Sequence, residues 1–74
     1  MAVVGLWSLP MTPQEIKAAR KALGLTQAQL AQVMGYSGTP YVSGLETGYR
    51  SISEQGRRLL QAYLSGYRPE DWPE

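Results

Sequence analysis

Four times along this 74-residue chain a serine- or threonine-led helix start is followed, within a few helical turns, by a glycine stop. That rhythm leaves room only for short helices, which gain their stability from packing on one another. Thr12-Pro13-Gln14-Glu15 is the clearest start: a capping hydroxyl, a proline suited to the first turn, and a glutamate completing a capping box. Ile16, Ala19 and Leu23 follow at helical spacing and Gly24 ends the run. Thr26-Gln27-Ala28-Gln29 repeats the device, with Leu30, Val33 and Met34 as the buried stripe and Gly35 as the stop. The third start is Ser37-Gly38-Thr39-Pro40, with Thr39 as cap and Pro40 as first helical residue, closed by Gly48. Here Val42 and Leu45 point inward, while Tyr41, Ser43, Gly44 and Thr47 point outward. Ser51-Ile52-Ser53-Glu54 reads as a capping box for the fourth helix, whose apolar face is Leu59, Leu60, Tyr63 and Leu64 and whose stop is Gly66. No stretch alternates convincingly at period two, so the expectation is all-α.

This length accommodates one domain: an N-terminal arm over 1–11, a helical core over 12–66 and an extended tail over 67–74. Cysteine and histidine are both absent, which removes disulfides, Cys/His zinc sites and imidazole acid–base chemistry. With no glycine-rich phosphate loop and no paired carboxylates before the tail, neither an enzyme nor a bound cofactor or metal is expected. A core of this size contributes about 3–5 kcal/mol of net stability, so assembly into a dimer would help.

The formal net charge of +1 conceals an uneven distribution. Residues 1–69 hold all the basic groups, Lys17, Arg20, Lys21, Arg50, Arg57, Arg58 and Arg68, against only Glu15, Glu46 and Glu54. The remaining acids, Glu70, Asp71 and Glu74, crowd the end. A basic body with an acidic tail is the object to explain. Residues 1–9 are apolar but lack the charged flank of a signal peptide, and no segment has the ~20 apolar residues of a membrane span. The expected compartment is the cytoplasm, with no membrane partner.

Two short helices, 27–34 and 40–47, joined through a glycine turn follow the helix-turn-helix plan. Leu23-Gly24-Leu25-Thr26-Gln27, Leu30-Ala31, Met34-Gly35-Tyr36-Ser37, Val42-Ser43 and Leu45-Glu46-Thr47-Gly48 together resemble the lambda-repressor-like (Cro/XRE-type) DNA-binding family, from about Ile16 to Leu64. The resemblance implies a compact domain of four to five helices that places its helix-turn-helix, residues 27–47, on double-stranded DNA. It also implies a salt bridge between Arg20 and Glu46, and a phosphate clamp at Gln27 on a helix N-terminus. A recognition helix reads base edges from the major groove near its N-terminus. On this chain those positions are Thr39, Tyr41, Ser43, Gly44 and Thr47, with Ser37, Tyr49, Arg50, Lys17 and Arg57 as further phosphate contacts.

The pattern departs from the family in ways that bear on specificity: Gly35 and Glu46 are one residue further apart than in the commonest family spacing, and Pro40 has no backbone N–H to donate. Residues 36–48 contain no arginine or lysine, and Gly44 stands where a base-reading side chain is common. Readout would then rest on hydroxyls, methyl contacts and duplex shape. One short helix reads few base pairs, so a homodimer on a palindromic operator is expected, with Tyr63, Tyr67, Trp72 and Trp7 as its candidate surface. The function implied is a small repressor of phage, plasmid or operon type, acting without a small-molecule effector. The competing reading is a protein-interaction module, antitoxin-like or a phage-encoded adaptor, using the same helices.

Overall fold

The computed structural model describes residues 11–73. The apolar arm preceding Met11, and with it Trp7, lies outside the described residues, as does Glu74. Four helices follow one another: α1 (Pro13–Ala22), α2 (Gln27–Met34), α3 (Thr39–Thr47) and α4 (Glu54–Leu64). No strand occurs among the described residues, and none of their helices is long and apolar enough to cross a membrane.

The first two helices begin where the local chemistry dictates. Thr12 accepts from the Glu15 amide at 3.1 Å while the Glu15 carboxylate accepts from the Thr12 amide at 2.9 Å. Thr26 and Gln29 form the same reciprocal pair with the same distances. Each box satisfies donors that a helix start otherwise leaves open.

The other two starts differ from the sequence expectation. Gly38, not Thr39, is the cap of α3; the helix begins one residue earlier and no side chain caps it. The Tyr41 amide closes the first turn on the Gly38 carbonyl at 3.1 Å, and Pro40, which has no amide to offer, loses nothing by sitting there. In α4 the cap is Ser53, whose hydroxyl accepts from the Gly56 amide at 3.0 Å. The Ser51–Glu54 box is not used, because Glu54 is already helical and its carboxylate is engaged by Arg57 and Arg58.

α3 packs against both α2 and α1, and α4 closes the bundle against α1 and α2. The core is one cluster: Ile16 and Ala19 of α1, Leu25, Leu30, Ala31 and Val33 around α2, Val42 and Leu45 of α3, and Leu60 and Tyr63 of α4. Ala31 is small where α2 meets its neighbours. Gly35 ends α2 in the left-handed region at φ 78°, which lets the chain turn toward α3 at no steric cost. Leu64, expected on the apolar face of α4, is instead 45% exposed.

The tail folds back onto the bundle. Arg68 donates to the carbonyls of Tyr63 and Tyr67, each at 2.8 Å, and its guanidinium lies 4.2 Å from the centre of the Trp72 ring. Trp72 meets Tyr63 edge-on at 5.0 Å, and Gln32 of α2 donates to the Asp71 carbonyl at 3.4 Å. This revises the candidate dimer surface. Tyr63 is core, 2% exposed, and Trp72 covers it as a half-buried lid. Tyr67, stacked parallel on Tyr63 at 5.9 Å, keeps 56% of its surface exposed.

Candidate nucleic-acid interface

Glu46 is the apolar-side carboxylate of α3, and three elements converge on it. Arg20 of α1 donates from Nε to Oε2 at 2.6 Å and from Nη2 to Oε1 at 3.2 Å. Its remaining Nη1 donates to the Leu25 carbonyl just before α2, at 3.0 Å. Gln27, the first residue of α2, donates from Nε2 to Oε1 at 3.2 Å. Only 4% of the Glu46 side chain and 13% of the Arg20 side chain remain exposed. Burial is the largest influence on the Glu46 carboxyl and pushes its pKa up. The hydrogen bonds from Arg20 and Gln27, with the charges of Arg20 and Lys17, outweigh it and hold the group below its ordinary value.

This node fixes the start of α2 relative to α3. The Gln27 side chain is therefore engaged internally, and what α2 offers outward is its N-terminal end. Thr26 caps the Gln29 amide, while the amides of Gln27 and Ala28 have no helical carbonyl behind them. Such an end attracts a phosphate through its dipole and its free donors. Lys17 and Lys21, one turn apart on α1, are both exposed, and Lys17 lies close enough to influence Glu46.

The five positions singled out on α3 do not share one face. Thr39, Ser43 and Thr47 are four residues apart and form one row, with both threonines exposed and Ser43 half-buried. The Thr47 hydroxyl bonds the Gly44 carbonyl at 3.3 Å. Tyr41 and Gly44 belong to a flank. Tyr41 stacks on Tyr36 with ring centres 4.3 Å apart. Gly44, expected to point outward, is buried: the aliphatic part of Arg50 lies over it, so close that a Cβ there would sit 3.1 Å from Arg50 Cδ. The Arg50 amide donates to the Gly44 carbonyl at 3.1 Å, and its guanidinium sits 4.7 Å from the Tyr41 ring centre and 5.9 Å from that of Tyr49. Tyr49 is 85% exposed, and Ser37 is exposed in the turn before α3.

The basic groups divide into two sets. Arg20 is bound to Glu46, and Arg68 is bound to carbonyls and Trp72. Arg58 pairs with Glu54 at 3.1 Å. Arg57, expected on phosphate, is 7% exposed and donates to Glu54 at 3.1 Å and to Gln61 at 3.2 Å; it is part of the α4 scaffold. Lys17, Lys21 and Arg50 make no ion pair with a carboxylate among the described residues, and all three are exposed. These are the cations left to meet an external anion.

Tyr36 was not singled out by the sequence, although it supports this flank. Its hydroxyl is buried against α4, where a Cβ on Gly56 would approach it to 2.7 Å, and it has no hydrogen-bond partner among the described residues. Burial, with a smaller contribution from Tyr41, raises its pKa. The spacing of Tyr36 and Tyr41 is the only trace of their contact in the sequence. No cluster of carboxylate, thiol or imidazole ligands able to hold a metal occurs among the described residues.

A family model described as helix-turn-helix matches residues 16–55, more than half of the chain and the whole of the stretch that builds this surface. No match was found among curated proteins or solved structures.

Proposed function

Because the chain belongs to the helix-turn-helix family of lambda-repressor-like DNA-binding regulators, we propose that it is a sequence-specific transcription regulator of double-stranded DNA, a small repressor that binds a palindromic operator as a homodimer. The partition of the cations carries this reading. Four arginines are tied into the fold, while Lys17, Lys21 and Arg50 stay exposed around α2 and α3. In the proposed complex α3 enters the major groove with Thr39, Ser43 and Thr47 toward the bases, and the N-terminal end of α2 rests on a phosphate. Lys17 and Lys21 extend the phosphate contact along α1. Two subunits would set their recognition helices about 34 Å apart on successive turns of one duplex face. The exposed Leu64 and Tyr67 at the end of α4 are the surface proposed for pairing.

Gel-shift titration against duplexes from the protein's own promoter region, repeated over a range of salt, tests the reading. Six neutralised phosphates per dimer correspond to a log–log salt slope of about −5. Equal affinity for every duplex, or an affinity indifferent to salt, would exclude an operator-binding role. A monomer by sedimentation, free and on DNA, would exclude the homodimer. The exposed Leu64 and Tyr67, with the absence of a basic side chain on α3 itself, favour a second reading, a module that docks on another protein. Salt-insensitive DNA binding together with a tight protein partner would support it.

A further inference from the structure

The recognition helix lacks a cation of its own, yet a guanidinium lies against it. Arg50 follows α3 by three residues, and its backbone is pinned to the helix by the amide bond to the Gly44 carbonyl. From there its side chain runs backward along α3. Cγ and Cδ pass over Gly44, and the guanidinium reaches Tyr41, in the N-terminal half of the helix. That half is the part of a recognition helix that meets base edges. A side chain at position 44 would occupy the path, since even a Cβ would stand 3.1 Å from Cδ and 3.2 Å from Cγ. Tyr41 is itself backed by its stack on Tyr36, which supports the ring beneath the guanidinium. No carboxylate among the described residues competes for Arg50.

We infer that Arg50 is a base-reading residue of this protein: seated in the groove left by Gly44 and stacked on Tyr41, it presents its guanidinium to a guanine in the major groove, supplying from the following loop the reader that α3 lacks. Gly44 and Tyr41 are then positioning residues for Arg50. A planar guanidinium can bond O6 and N7 of guanine together, which a lysine at the same site cannot reproduce in geometry when it must also stack on a ring. The assignment rests on the DNA-reading function proposed above, and it differs from a phosphate contact in what it predicts.

Selection from randomised duplexes, run on the full chain and on Arg50→Ala, Arg50→Lys and Gly44→Val, tests it, with circular dichroism melting to verify that each variant is folded. The unaltered protein is expected to enrich a half-site containing one strongly preferred G·C pair. Arg50→Ala should relax that pair alone, by about tenfold to a hundredfold in discrimination, and keep the other preferences. Gly44→Val should relax the same pair with Arg50 still present, and the double variant should lose nothing further there. Uniform weakening on every sequence by Arg50→Ala, with the salt slope reduced by about one per subunit, would make Arg50 a phosphate contact and overturn the inference while leaving the function standing. Retention of the base preference in a folded Gly44→Val protein would overturn the seating. If the unaltered protein enriches no sequence, the proposed function falls and this inference with it.

Discussion

The hydroxyl of Tyr63 in α4 donates to the carbonyl oxygen of Val33 in the last turn of α2, thirty residues away in the chain. Carbonyls in a final helical turn have no amide ahead of them, and this one is closed by a side chain from the opposite helix. The same bond joins α4 to the helix that precedes the recognition helix. Burial raises the Tyr63 pKa, with Asp71 and Tyr67 adding to it, so the phenol stays protonated and able to donate at ordinary pH.

Tyr63→Phe keeps the ring and removes the donor. It should cost about 1–2 kcal/mol, the loss associated with leaving a buried carbonyl unsatisfied. For a domain of this size, a lowering of Tm by about 4–8 °C accompanies each kcal/mol, which calorimetry can read. An unchanged Tm would mean that water replaces the hydroxyl at no cost.

The Arg20–Glu46 pair should be strongly non-additive. Arg20→Met alone leaves a carboxylate that is 4% exposed with only Gln27 and the more distant Lys17 to support it, and should cost about 3 kcal/mol or more. Combining Arg20→Met with Glu46→Leu removes both charges and should recover most of that loss. Urea denaturation of the two single variants and the double variant gives the coupling; additive costs would show two independent side chains.

Acid should weaken the fold through the same carboxyl. The Glu46 pKa is lower in the folded protein than in an unfolded chain, so its contribution is fully present above the ordinary glutamate value of about 4.3 and is lost as pH falls through the lower, folded value. Melting curves taken from neutral pH into this acidic range should show the loss, and Glu46→Gln should flatten it. Glu54 is lowered too, first by its hydrogen bond from Arg58, but its exposure to solvent makes its share small.

Gly56→Ala should destabilise the protein even though alanine favours a helix, because its Cβ would stand 2.7 Å from the Tyr36 hydroxyl and 3.0 Å from Ile52. Overpacking of this kind costs about 1–3 kcal/mol. Adding Tyr36→Phe removes the crowding oxygen, which has no hydrogen-bond partner among the described residues, and should restore part of the stability. No recovery in the double variant would place the strain at Ile52 instead.

Arg57 and the α1 lysines should separate stability from DNA affinity. Arg57→Ala removes a buried side chain that bonds Glu54 and Gln61 and should lower Tm by several degrees with the salt slope unchanged. Lys17→Ala with Lys21→Ala should leave Tm nearly constant and flatten the slope by about two per subunit. The reverse pattern would exchange their roles.

The helix order and most of the core were legible because their signals are local. Thr12 with Glu15 and Thr26 with Gln29 lie within one turn, and each pair forms as its spacing requires. The start of α4 was harder, since Ser51 and Ser53 both offer caps and the choice depends on where the Glu54 carboxylate goes. The interface was less legible still. That Arg57 is buried while Arg58 is exposed depends on how α4 rotates against the bundle, and two adjacent arginines do not encode a rotation. The return of Arg50 over Gly44 depends on a missing side chain six positions earlier, and an absent atom leaves no pattern in a sequence. Family resemblance pointed to Arg20 and Glu46, whereas Gln27 joining them emerges only from the fold.

The enclosure of Glu46 has an electrostatic consequence outside the protein. A carboxylate standing open on a recognition helix would meet the phosphates of the duplex as a like charge and oppose every approach. Here both of its oxygens face inward, one held by Arg20 and the other shared by Arg20 and Gln27, so the field that α3 projects is that of hydroxyls and a nearby guanidinium. The ion pair that fastens the helix also masks the helix's only negative charge from the duplex proposed to lie against it.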